Sequence, residues 1–178
     1  MTNLVYMSHV LGDPANDFAI LGEGNTSARA DGETFWVKAS GFSLKRIGSS
    51  GFVRVRFQPL FDQLRLPPSD EAALQGLQAS KTDPEAPRPS VETYLHAIAL
   101  RDGGARFVGH THPVAVNRVL CSQLAEKAVA GRLFPDEIVS CGSASLYMPY
   151  CDPGLTLALE FRSALQRFQD DQGTAPRV

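Results

Sequence analysis

Two histidines separated by one residue, His110 and His112, have the types and spacing best suited to chemistry in this sequence. They follow the apolar pair Phe107-Val108 and stop at Pro113, a pattern that predicts the end of a β-strand. Successive strand side chains point to opposite faces, so both imidazoles should emerge on the same side. Two adjacent imidazoles are half of a divalent metal site. The alternative is that both are ordinary polar residues at a strand end.

A carboxylate, Glu92, lies one predicted helix upstream of the histidines. Ser90 is a typical N-cap residue and predicts a helix over about residues 91–101. The helix dipole favours a carboxylate in the first turn, which alone would explain Glu92. Glu92 also shares a helix face with His96, which is either a hydrogen-bonded structural residue or a further ligand. The core stripe of this helix has i, i+4, i+7 spacing and comprises Val91, Leu95 and Ile98.

Two small polar segments could bind an anion. Residues 22–27, Gly-Glu-Gly-Asn-Thr-Ser, predict a loop whose open backbone amides form an anion-binding nest, although an ordinary hairpin turn explains them equally well. Ser40-Gly41 follows a predicted strand, residues 34–39, which itself follows the Asp31-Gly32 turn signal. Both segments therefore offer polar groups that could donate to an anion such as phosphate.

The other predicted elements position these segments. Residues 52–57 alternate apolar and basic side chains, which predicts a half-exposed strand whose arginines form a solvated face. The remaining pattern predicts, in order, loosely helical residues 4–21, helical pieces over 59–77 broken by Pro67-Pro68, a connector over 80–89, a helix over 114–130, a short strand over 138–141, a loop over 147–154 and a helix over 155–168.

Composition narrows the class of protein. The 178 residues carry a formal net charge of -2 without a basic cluster, which argues against a nucleic-acid partner. No apolar run approaches the ~18 residues of a membrane span. The N-terminal residues do not resemble a secretory signal. The three cysteines are odd in number and lack Cys-x-x-Cys spacing, so we expect reduced thiols in a cytoplasmic protein.

Several short motifs stand in order along the chain. They are Gly24-Asn25-Thr26-Ser27, Ala39-Ser40-Gly41, Pro89-Ser90-Val91-Glu92, His110-Thr111-His112-Pro113 and the loop Pro149-Tyr150-Cys151-Asp152-Pro153-Gly154. Taken together, these motifs resemble the class II aldolase/adducin family. The first two, with the residues around them, are most similar to the aldolase half of bifunctional aldolase/short-chain dehydrogenase proteins.

The resemblance implies an α/β fold of three α/β/α layers, with a central, mainly antiparallel sheet flanked by helices. It also implies a homo-oligomer, a tetramer in the family, with sites at subunit interfaces. The implied activity is that of a metal-dependent lyase that cleaves a small sugar phosphate by retro-aldol chemistry through a metal-stabilised enediolate. A pentose-phosphate 4-epimerase using the same site is one alternative, and a non-catalytic scaffold like the adducin head domain is another.

The resemblance also assigns site residues. Glu92 would be the acid/base, and His110 and His112 would ligate Zn²⁺ or another divalent ion such as Mn²⁺ or Co²⁺. A divalent ion polarises the oxygens of a ketose phosphate, and a nearby carboxylate can then exchange a proton with the adjacent carbon. The substrate phosphate would be held by Asn25, Ser27, Ser40, Gly41 and Ser90.

The sequence departs from the family in its metal ligands. The family has a third histidine beyond the helix predicted to end near residue 168, and no histidine of this chain stands there. Residues 1–178 are therefore expected to form one domain that lacks its C-terminal part, as a fragment or as a shortened homologue. Glu92 could serve as an additional ligand, and His96 is the other nearby candidate. Val91 replaces a serine common in the family's phosphate pocket.

Overall fold

The computed structural model describes all 178 residues, from Met1 to Val178. Four antiparallel strands form one sheet in the order β3-β2-β1-β4. The strands are β1 (Asn25–Arg29), β2 (Thr34–Lys38), β3 (Phe52–Arg56) and β4 (Phe107–His110). The helices are α1 (Thr2–Leu11), α2 (Phe57–Gln63), α3 (Asp70–Ser80), α4 (Thr93–Arg101), α5 (Val114–Leu120), α6 (Ala125–Val129), α7 (Pro135–Cys141) and α8 (Leu155–Gln172). None of these helices has the length and apolar character to cross a membrane.

The predicted turn at Asp31-Gly32 joins β1 to β2. The Asp31 Oδ1 accepts hydrogen bonds from the backbone amides of Glu33 and Thr34, at 2.9 Å and 2.7 Å. A short acidic side chain that satisfies the amides ahead of it is what stabilises such a turn. The hairpin prediction is confirmed. Because the two strands are antiparallel, the start of β1 lies beside the end of β2, which brings the two polar segments to the same end of the sheet.

Helices cover both faces of the sheet because the strand side chains alternate. Phe35 and Val37 point into the main core, where they join Ile98 of α4. Ala28 points to the opposite face, where it packs with Leu4 of α1. This arrangement confirms the α/β fold with a central antiparallel sheet between helical layers.

Helix α4 begins two residues later than predicted. The Ser90 carbonyl accepts a hydrogen bond from the Thr93 amide at 3.0 Å, so a turn precedes the helix. Glu92 therefore occupies the N-cap position rather than the first turn. Val91 is 44% exposed and lies outside the core, in contrast to the predicted stripe. The buried side of the helix instead carries Tyr94, His96, Ala97, Ile98 and Leu100.

Two predictions in the C-terminal third are wrong. The helix predicted over 114–130 is divided into α5 and α6, because the Ser122 hydroxyl donates to the Val119 carbonyl and accepts from the Leu124 amide. The strand predicted over 138–141 is part of helix α7. Pro135 occupies its first turn, and the Glu137 carboxylate accepts from a preceding backbone amide at 2.7 Å, which favours a helix start.

Candidate functional site

The site lies where the start of β1, the end of β4 and the N-terminus of α4 meet. Strand register sets Asn25 of β1 opposite His110 of β4. The odd-numbered residues of β1 face α4, since Ser27 hydrogen-bonds to His96 and Asn25 to Glu92. The sheet and one helix therefore bring together residues that are up to 85 positions apart in sequence, from Asn25 to His110.

The two histidines converge through equivalent nitrogens. The Nε2 atoms of His110 and His112 are 3.0 Å apart, and their ring centroids are 4.8 Å apart. His112 lies two residues beyond the end of β4, where its backbone amide donates to the Phe18 carbonyl at 2.8 Å. Both rings still emerge on one side, which confirms the prediction from the His-x-His spacing. Two imidazole nitrogens this close together are a donor set that suits a divalent ion such as Zn²⁺.

Each of these histidines has a carboxylate at its other ring nitrogen. The Glu92 Oε2 is 3.4 Å from the His110 Nδ1, and the Glu23 Oε2 is 3.4 Å from the His112 Nδ1. Glu92 thus lies beside the Nδ1 of His110 and leaves the Nε2 free to face His112. No group of three or more His, Cys, Asp and Glu side chains has an arrangement that would hold a metal ion. Metal ligation by His110, His112 and Glu92 stays a prediction.

Glu92 is a partly buried carboxylate surrounded by nitrogen groups. Its side chain is 28% exposed, and its Oε2 accepts a hydrogen bond from the Asn25 Nδ2. Burial raises the pKa of the Glu92 carboxyl, but the nearby His110, His96 and His112 together outweigh burial and hold this pKa below its ordinary value. The carboxylate is therefore ionised near neutral pH.

The glycine-rich loop predicted over residues 22–27 ends at Gly24, because β1 begins at Asn25. Asn25, Thr26 and Ser27 belong to β1 and are almost completely buried. Their polar groups find partners inside the fold: the Thr26 hydroxyl is 2.7 Å from the Ser8 hydroxyl, and the Ser27 hydroxyl is 2.7 Å from the His96 Nδ1. Both hydroxyls are therefore satisfied within the strand, whereas the Asn25 Oδ1 is buried without a hydrogen-bond partner. The phosphate roles predicted for Asn25 and Ser27 stay predictions.

The other three predicted phosphate residues lie on two adjacent segments. Ser40 and Gly41 are exposed just beyond β2, and Gly41 has φ +86° with open space at its Cβ position. Backbone hydrogen bonds tie this segment to the one before Ser90, from the Ser40 amide to the Arg88 carbonyl at 2.9 Å and from the Ser90 amide to the Lys38 carbonyl at 3.3 Å. The two predicted anion-binding segments are therefore neighbours.

Lys38 is a site residue that the sequence predictions did not include. This last residue of β2 is only 4% exposed, and its ammonium forms no ion pair within 4 Å. Burial lowers the pKa of Lys38, and the charge of Glu92 opposes that shift. A lysine that ends an apolar strand beside a Ser-Gly pair is the sequence signal that could have identified it.

His96 is a buried neutral base next to the catalytic candidates. It is 1% exposed, and its Nε2 has no hydrogen-bond partner. Burial and, to a smaller extent, the neighbouring His110 and Lys38 together lower the pKa of His96 to about 3, although Glu92 opposes them. His96 is therefore neutral near neutral pH, and its Nδ1 is hydrogen-bonded to Ser27.

We expect this buried histidine to make stability depend on pH. The unfolded chain protonates His96 near pH 6.5 and the folded chain only near 3, so the free energy of unfolding should fall as pH drops through this window. The loss should be about 2 kcal/mol at pH 5. Urea unfolding of the wild type and His96→Gln between pH 7 and 5 measures it. An equal pH slope in the two proteins would contradict the assignment.

Comparison with known proteins agrees with the observed fold. A family model described as class II aldolase and adducin N-terminal domain matches residues 3–174. The uncharacterized oxidoreductase YuxG of Bacillus subtilis (strain 168) is 30% identical over 166 residues, which cover 87% of this chain and 22% of that protein. This chain thus spans less than a quarter of the curated relative's length.

Solved structures also show that this chain has the class II aldolase fold. The N-terminal class II aldolase domain of a conserved protein from Thermoplasma acidophilum is 31% identical, with a TM-score of 0.73 and coverage of 90% of this chain and 72% of that one. L-fuculose-1-phosphate aldolase from Thermus thermophilus shares the fold at 21% identity, with a TM-score of 0.58 and coverage of 93% and 72%. The chain belongs to the class II aldolase and adducin N-terminal domain family.

Proposed function

We propose that this chain is a metal-dependent lyase that cleaves a small sugar phosphate by retro-aldol chemistry. The observation that carries the proposal is the Nε2 pair of His110 and His112, placed beside an ionised Glu92. Membership of the class II aldolase and adducin family supports a lyase-type activity.

His110 and His112 would hold the divalent ion, Zn²⁺ or alternatively Mn²⁺ or Co²⁺, through Nε2. Such an ion, when bound, supplies Lewis-acid polarisation of the substrate's oxygens. The two histidines would hold that ion beside Glu92. The Glu92 Oε2 is also 3.4 Å from the Nδ1 of His110, so its charge would help to orient this ring.

Glu92 would exchange the proton of the cleavage step. Its Oε2 is held by the Asn25 amide, and its pKa lies below the ordinary value for the reasons given above. A positioned carboxylate can take the proton of the substrate hydroxyl as the carbon–carbon bond breaks, and can return a proton to the carbon of the ketone fragment. Asn25 thus acts by orienting the base.

The substrate phosphate would be bound at the segment formed by Ser40, Gly41 and Ser90, with Lys38 supplying the positive charge. The backbone of Lys38 is hydrogen-bonded to Ser90, so the lysine belongs to this segment. A buried lysine without an ion-pair partner costs stability, and an anionic ligand would offset that cost. Hydroxyls, a glycine at positive φ and one cation are groups that suit a phosphate.

Lys38→Met tests this assignment because it keeps the volume of the side chain and removes only the charge. A charged hydrogen bond contributes ~1.5–3 kcal/mol, so we expect KM for a ketose 1-phosphate to rise roughly 10- to 100-fold. Cleavage of the unphosphorylated ketose should change little, and the variant should unfold at a higher temperature. The control is Lys45→Met, since Lys45 is exposed. Equal losses on both substrates would overturn the phosphate role.

The lyase assay itself decides between the proposed functions. Release of a phosphorylated ketone and an aldehyde from a ketose 1-phosphate would support the retro-aldol reaction. Interconversion of pentose phosphates without cleavage would favour the 4-epimerase instead. Bound metal without turnover on either substrate class would favour a non-catalytic scaffold.

A further inference from the structure

The loop before β1 and the His-x-His segment are held against each other. The backbone amide of His112 donates to the Phe18 carbonyl at 2.8 Å, and the amide of Glu23 donates to the Ile20 carbonyl at 3.0 Å. Gly24 has φ +80°, and a Cβ there would lie 2.8 Å from the His110 carbonyl oxygen. The chain around Glu23 thus passes so close to the end of β4 that only glycine fits beside it.

This close approach places a second carboxylate at the histidine pair. The Glu23 Oε2 is 3.4 Å from the His112 Nδ1, the same distance at which Glu92 meets the His110 Nδ1. Glu23 is half exposed, with 51% of its side chain accessible, and it makes no other ion pair. Each imidazole therefore has a carboxylate oxygen near its Nδ1 and the partner imidazole at its Nε2, but only the His110 Nδ1 is buried without a hydrogen-bond partner.

A carboxylate at Nδ1 selects one tautomer of a neutral imidazole. An ionised carboxylate only accepts hydrogen bonds, so it favours the tautomer with the proton on Nδ1. The Nε2 of His112 then carries a lone pair and accepts in the 3.0 Å contact, in which the Nε2 of His110 is the donor. A carboxylate behind a ligand histidine fixes its ring orientation and raises its basicity in the same way.

We propose that Glu23 is a positioning residue, which holds His112 in its Nδ1–H tautomer with Nε2 facing His110. The importance of this residue for metal affinity rests on the proposed function, whereas its effect on the tautomer does not. Glu23 acts through His112 and does not touch the substrate. It completes a pair of carboxylate–imidazole contacts of which Glu92–His110 is the other member.

The tautomer can be measured directly on the metal-free chain. Two-bond ¹H–¹⁵N correlation spectra of the imidazoles should show His112 as the Nδ1–H form in the wild type and a shift toward the Nε2–H form in Glu23→Ala. Glu23→Gln retains an accepting oxygen without the charge, so it should lie between these two. The matched control is Glu160→Ala, an exposed residue on α8, which should leave the spectrum unchanged.

Titration with Co²⁺ then separates this inference from the proposed function. Loss of a carboxylate contact behind a ligand histidine typically weakens metal affinity 10- to 100-fold, and we expect about that loss in Glu23→Ala. An unchanged His112 tautomer in Glu23→Ala, or unchanged Co²⁺ affinity in a protein that binds Co²⁺, would overturn the inference. The expected tautomers in a protein that binds no Co²⁺ would support the inference and overturn the proposed function.

Discussion

Glu92→Gln is expected to lower kcat for cleavage of a ketose 1-phosphate by about 100- to 10,000-fold, the range found for removal of a general base. Glutamine keeps the size of the side chain and an oxygen that accepts from the Asn25 amide, so the local structure should persist. The lost property is the ability to take up a proton near neutral pH. KM should change much less than kcat, because Glu92 acts on the reacting carbon rather than on the phosphate.

A half-reaction gives a second measurement of the same step. The phosphorylated ketone product, dihydroxyacetone phosphate, should exchange one carbon-bound hydrogen with D₂O in the presence of the wild type, and Glu92→Gln should lose this exchange. Glu160→Gln makes the same chemical change at an exposed position and should have wild-type rates. Unchanged turnover and exchange in Glu92→Gln would mean that another group is the base.

The core of the site could be predicted because it depends on local geometry. His110 and His112 share one side because strand side chains alternate, and this holds although β4 ends at His110. The β1–β2 hairpin follows from the short-range preferences of Asp31 and Gly32. Such features are determined by a few residues that are neighbours in the sequence.

Other features depend on contacts between distant residues, which a single sequence does not reveal. Glu23 meets His112, and Lys38 meets the segment of Ser90, only because the chain folds back over many residues. Ser27 is polar in sequence yet completely buried, because His96 on another element provides its hydrogen-bond partner. Composition alone therefore does not predict that these polar side chains are buried.

The wrong prediction at α7 has a different cause. Ile138-Val139-Ser140-Cys141 is a short apolar run, and such a run fits a strand or one turn of a helix equally well. Pro135 and the acidic residues after it favour the start of a helix, so this run forms a helix rather than a strand. The residues before the run therefore carry the signal that distinguishes the two elements.

Removal of both histidines of the Nε2 pair should have the second large effect. His110→Ala/His112→Ala deletes both predicted ligands, so we expect metal binding to be lost completely. Both side chains are about one-third exposed, at 31% and 36%, and the fold should therefore tolerate their truncation. His9→Ala is the control, since His9 is exposed and bonds the Ile47 carbonyl far from this pair in sequence. Glu92→Gln should retain the metal.

The metal content per chain tests the central claim most directly. Purified protein is reconstituted with Zn²⁺ or Co²⁺, dialysed and measured by elemental analysis, in parallel with the double variant. We predict close to one ion per chain in the wild type and His9→Ala, and none in His110→Ala/His112→Ala. A wild type that holds no metal after reconstitution, or a double variant that holds as much as the wild type, would contradict the proposal that the Nε2 pair is the metal site of a lyase.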